Sequence, residues 1–161
     1  EPEGLPEVDH SYVLVQSEVF LANDARTAEE ARELDADKVV AEKPDRVVFN
    51  GIANQYDLHP FTVRVGERVR FWVLDAGPNR ASSFHIVGGQ FDTSWTEGSY
   101  TLRRGEGAFG ATDGGAQVLP LLPAQGGFVE LTFPEPGHYP AVSHVMVDAE
   151  RGAHAVVEVS P

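Results

Sequence analysis

An all-β fold, a Greek-key β-sandwich with one helical insertion near the N-terminus, is predicted by three observations. From Arg46 onward the chain is a succession of short runs rich in Val and Phe, separated by Gly, Pro, Asn and Asp. Helical patterns do not alternate with these runs, so nothing builds a parallel α/β sheet. At 161 residues and 42% hydrophobic, the chain can fill one core of domain size.

Taken in order, residues 1–10 (EPEGLPEVDH) carry two prolines and four acids without periodicity and read as an entry linker, leaving 11–161 as the domain. Ser11 to Phe20 alternates as a strand does, with Val13 and Val15 opposite Gln16 and Glu18. Thr27 with Glu30 three residues on makes a capping box, good helix formers follow, and Pro44 stops them, which predicts a helix over about 28–42. The β runs come next: RVVFNG, FTVRVG, RVRFWVLDAG, SSFHIVGG, FDTSW, AQVLPLL, GFVELTF, HYPAVSHVMV and AHAVVEV. They suit a sandwich of roughly seven to nine strands. Its core is expected to include Val48, Phe49, Phe71, Val73, Phe84, Ile86, Val129, Leu131 and Val157. Residues 103–116 hold five glycines and no β pattern, and read as a long mobile loop.

The absence of cysteine removes disulfide scaffolds, thiolate metal sites, thiol catalysis and any copper site that needs a cysteine sulfur. A net charge of −13 opposes binding to nucleic acid or anionic membranes, and more than half of the acids precede residue 46. No apolar run is long enough to span a bilayer, and the first twenty residues lack the shape of a signal peptide. Glu1 opens the chain without a methionine, as expected of a processed or excised segment.

Six histidines, at 10, 59, 85, 138, 144 and 154, are the strong transition-metal ligands available. His10 in the acidic linker, His59 before Pro60 and His154 on the outward parity of its strand read as ordinary solvated residues. In Ser82 to Gly89, alternation sends Phe84 and Ile86 to one face and His85 and Val87 to the other, with two glycines following. On pattern alone, His85 reads as a half-buried ring bonded to a backbone carbonyl. His144 shares parity with Val142 and Met146, and is either a satisfied core histidine or a metal ligand at a strand end. His138, beside a glycine at a strand start, is ambiguous. There is no HxH, HxxxH or HExxH pairing, and no nucleophile elbow, P-loop or dinucleotide fingerprint.

The order Pro44 to Gly51, Val65 to Val69, His85-Ile86-Val87-Gly88-Gly89, Pro136-Gly137-His138-Tyr139 and Ser143-His144 resembles the second (C-terminal) cupredoxin domain of copper-containing nitrite reductases and the related multicopper oxidases. The likeness covers nearly the whole chain. It implies a cupredoxin-like half of an oxidoreductase that reduces nitrite to nitric oxide and is not active as an isolated chain. A preceding domain, of the same or a neighbouring subunit, would carry the type 1 copper and its cysteine. In a homotrimer, His144 would complete a type 2 copper shared across a subunit interface, His85 would donate a proton above it, and Val87 would shape the pocket for a small inorganic substrate. The resemblance also implies an extracytoplasmic location, periplasmic or secreted.

Two departures from the family pattern refine this. Single histidines stand where multicopper oxidases carry His-x-His pairs, which implies a mononuclear rather than trinuclear copper. Val118-Leu119-Pro120 precedes Leu121-Leu122-Pro123 where nitrite reductases tend to have a polar pair bracing the proton donor. The competing reading is a metal-free cupredoxin-like domain used for assembly or interaction, in which both histidines are structural.

Overall fold

The computed structural model describes residues 2–22 and 27–161. Two mixed sheets face each other across one core. The first contains β1 (His10–Val19), β2 (Arg46–Phe49), β4 (Arg68–Asp75), β6 (Thr93–Thr96), β7 (Ser99–Arg103), β8 (Glu106–Gly107) and β10 (Gly126–Thr132), in the spatial order β2-β1-β4-β10-β6-β7-β8. The second contains β3 (His59–Arg64), β5 (Ser82–Ile86), β9 (Val118–Leu121), β11 (Gly137–Ser143) and β12 (His154–Ser160), in the order β3-β12-β11-β5-β9. Between the named strands, parallel pairing joins β1 to β4 and β12 to β3.

The sandwich is the expected fold class, with twelve strands among the described residues instead of seven to nine. One source of the excess is a hairpin: Glu97 and Gly98, both at positive φ, turn β6 into β7, and β8 then pairs with β7.

Alternation decides what enters the core. Val69, Phe71 and Val73 of β4 and Val129 and Leu131 of β10 face Phe84 and Ile86 of β5 and Val157 and Val159 of β12. Phe84 lies parallel to Phe91, ring centroids 6.3 Å apart, and 5.9 Å from Phe71. Burying each such side chain contributes about 1.5–3 kcal/mol. All nine expected core residues are buried. Val48 is buried apart from the main cluster, because β2 hides residues on both of its faces.

Three expectations need correction. The helix expected over 28–42 is instead a 3-10 turn at Glu30–Arg32 followed by α1 (Ala36–Val40), and a further short helix, α2 (Gln55–Leu58), precedes β3. The expected capping box does form, Thr27 and Glu30 exchanging bonds at 3.2 Å, but Leu34 then bridges to Leu21 and Asp35 caps α1 by accepting from the Lys38 amide. Neither segment buries a residue, so propensity alone does not sustain a longer helix.

The segment read as a linker is tied down. Pro6 accepts from Arg70, Asp9 exchanges bonds with the Arg68 main chain, and His10 starts β1 with its ring 2.8 Å from Glu67. The glycine-rich segment 103–116 folds back on itself. Gly105 donates to Asp92, Gly114 donates to Gly105, and Phe91 and Ala116 exchange both main-chain bonds.

Candidate functional site

Antiparallel register places the candidate residues on the outer face of the five-stranded sheet. Val142 of β11 stands opposite His85 on one neighbouring strand and His154 on the other, and directly paired residues point to the same side. Val87 and His144, each two positions further along from members of this row, extend the same face. The sequence-predicted trio His85, Val87 and His144 is thus brought to one surface by two adjacent strands, β5 and β11, and their ends.

His144 lies just past the end of β11. Its amide donates to the Ser83 carbonyl at 2.7 Å, continuing the ladder by one bond before the chain turns into α3 (Met146–Glu150). The residue is exposed, which overturns the reading of a satisfied core histidine. Among the described residues its imidazole has no hydrogen-bond partner, and its neighbour is the His85 ring, centroids 5.4 Å apart and planes at 64°.

His85 is half-buried. Its Nδ1 lies 2.6 Å from the main-chain oxygen of Gln117, just before β9. A carbonyl only accepts, so Nδ1 carries the hydrogen and Nε2 is left to accept, bind a metal or hold a proton. The sequence offered no polar side chain as a brace. The brace is a main-chain carbonyl, as the strand pattern around His85 predicts, and only its identity as Gln117 has no side-chain signal.

Val87 donates its amide to Pro140 at 2.8 Å and leaves its side chain 45% exposed, an apolar wall beside the two rings. The glycines after it have separate causes. Gly88 has φ +83, and a Cβ on Gly89 would come within 2.9 Å of Leu131 Cδ1, so the chain bends and passes close over the core.

Two hollows flank His144. Ser83, His85, Gln117 and Val118 line one with it. The other is lined by Val87, Val142, Met146, Ala149 and His154, among others. His154, read as an ordinary outward residue, holds Asp57 Oδ1 at 2.5 Å through Nδ1, a pairing across 97 residues with no local signal. His59 and His138 are exposed at the starts of β3 and β11.

Among the described residues no three His, Cys, Asp or Glu side chains converge as a metal site. The geometry nevertheless fits one contributed ligand: an exposed imidazole without a hydrogen bond, fixed by its main chain at the end of a strand. A metal held there needs more ligands than converge among the described residues.

No family model matches the sequence. Among curated proteins, the chain is 33% identical over 159 residues to a copper-containing nitrite reductase of Neisseria gonorrhoeae, an alignment covering 98% of this chain and 38% of that protein. The chain therefore spans less than two fifths of the length of the curated relatives it matches. Among solved structures, a Cu-containing nitrite reductase from Thermus scotoductus SA-01 superposes with a TM-score of 0.76 at 26% identity, over 96% of this chain and 31% of that one. A copper nitrite reductase from Nitrosomonas europaea gives 0.76 at 28%, over 98% of this chain and 51% of that one.

Proposed function

Since the chain is a cupredoxin-like domain homologous to a part of the copper-containing nitrite reductases, we propose that it completes their copper site, with His144 as its contributed ligand. The exposed imidazole of His144, free of hydrogen bonds among the described residues and beside the His85 ring, carries this reading. The missing ligands come from a partner subunit, so the site is a mononuclear type 2 copper at the interface of a homotrimer. The type 1 copper belongs to a cysteine-bearing domain outside this sequence. The working place is extracytoplasmic, in keeping with the relatives' chemistry.

The reaction takes nitrite, two protons and one electron to nitric oxide and water. Bound copper would supply Lewis acidity and the route for that electron. The chain's residues handle the rest. His85, with Nδ1 committed to Gln117, holds a proton at Nε2 and delivers it to a departing substrate oxygen. Val87 gives the pocket an apolar side that limits water and suits a small anion.

Replacing His144 by Ala in the full-length protein tests the assignment. The type 2 signal and one copper per subunit are expected to disappear while the type 1 copper and its visible absorption stay. Unchanged copper content would overturn the reading in favour of a metal-free assembly domain.

A further inference from the structure

The segment that presents His144 is short of internal support. Val145 caps α3 without a side-chain hydrogen bond, the helix is five residues long, and Met146 and Val147 are exposed. One side chain anchors it from below. Asp148, fully buried four residues after His144, receives Arg80 Nε almost symmetrically, at 2.9 and 3.0 Å to its two oxygens.

Arg80 is itself fixed. The amides of Asn79 and Arg80 both donate to Glu18 Oε1 at 2.7 Å, tying this turn to β1. Three residues later, Ser83 accepts the His144 amide. The main chain of Asp148 also takes part: its amide donates to Val145, and its carbonyl accepts from Ala153 at the threshold of β12. The stretch 79–83 therefore grips the His144 turn at both ends, by a main-chain bond before the turn and an ion pair to the buried Asp148 after it.

From this geometry we infer that Arg80 and Asp148 are positioning residues that set where the His144 imidazole sits. The inference rests on the reading of His144 as a copper ligand. A buried carboxylate deprived of its guanidinium is left with Arg151, whose Nη1 is 4.0 Å away on the same helical turn and cannot tie α3 to β5. The turn then loosens as a unit, and the ligand loses its fixed place relative to the partner's ligands.

The test uses the full-length protein with three variants, Arg80→Gln, Asp148→Asn and Arg80→Lys, beside His144→Ala. Hydrogen exchange in the copper-free protein is expected to quicken at peptide 144–150 in the first two, with the β10 peptide unchanged. Chelator competition, with type 1 copper as internal reference, is expected to show type 2 copper held about 10- to 100-fold more weakly. Arg80→Lys, which keeps the charge but lacks the planar fork, recovers part of that loss. It also serves as the reporter should Arg80→Gln fail to fold, its affinity still falling below that of the parent.

Parent-like exchange at 144–150 and parent-like copper affinity in folded variants would overturn the inference, provided His144→Ala empties the site. If His144→Ala retains its copper, the ligand assignment itself falls, and the positioning role with it.

Discussion

His85 has one ring nitrogen spent on a carbonyl and one free, so any proton it trades passes through Nε2. In the full-length protein, His85→Asn is expected to cut turnover while copper occupancy holds, and to change the shape of the rate against pH. Full activity with an unaltered profile would reduce His85 to a lining residue. A buried acid lies away from the site. Asp75 is fully buried at the end of β4, with Oδ1 accepting from the Gly77 amide and Oδ2 without a hydrogen-bond partner among the described residues. Burial pushes its carboxyl up to about 6, the main-chain amides of Gly77 and Ser82 oppose this, and the nearby charges of Glu18 and Asp148 add to the rise. The folded state thus favours the protonated acid. Its contribution to stability is full below the ordinary aspartate range and is lost as pH rises through about 6. Asp92 works with the opposite sign, since burial raises it but the bond from Arg68 prevails and holds it low. Asp75→Asn is expected to raise the melting temperature above pH 7 and to flatten its dependence between pH 4 and 7; a parent-like slope there would contradict this.

At the scale of elements, β10 shows how tightly the sandwich limits substitution. Gly127 pairs with both Val73 and Thr96, and a Cβ there would be driven into the Trp95 carbonyl oxygen, a backbone atom with no room to retreat. Gly127→Ala is expected to cost about 1–3 kcal/mol, read as a lower midpoint in urea unfolding. The strands were the most legible part of the sequence, because an alternating run with one apolar parity has a single way to bury it: Phe84 and Ile86 inward forces His85 and Val87 outward. The helix at 28–42 was misjudged for the reason that makes strands readable. Its capping signal is local and did form, but Leu34 and Val40 remain 65% and 86% exposed, and no apolar stripe pays for a longer helix. Burial at a strand end was equally hidden. The parity shared by Val142, His144 and Met146 is real, but only Val142 is covered, and cover comes from neighbours far along the chain. Gln117 and the Arg80–Asp148 pair were invisible for a similar reason: one acts through its main chain, the other across 68 residues.

For the whole molecule, the proposed division of the copper ligands between one subunit and the next implies a head-to-tail interface that closes into a ring. Complementation tests it. Subunits carrying His144→Ala, co-assembled with subunits stripped of the other type 2 ligands, are expected to regain copper at those interfaces where two intact halves meet. No regain would place the whole site within one subunit. The topology carries a separate consequence, for the order in which the protein is made. The seven-stranded sheet has its last member, β10, in hand by Thr132. The five-stranded sheet does not: β12, its final strand in chain order, is wedged between β3 and β11 and ends at Ser160. Until that strand emerges from the ribosome, β3 has no partner in its sheet and β11 has an open flank, so the surface bearing His85 and His144 is finished after the seven-stranded sheet. A nascent chain stalled short of β12 can hold one sheet of the sandwich but not the one that presents the histidines, which times any capture of metal to after β12 has joined its sheet.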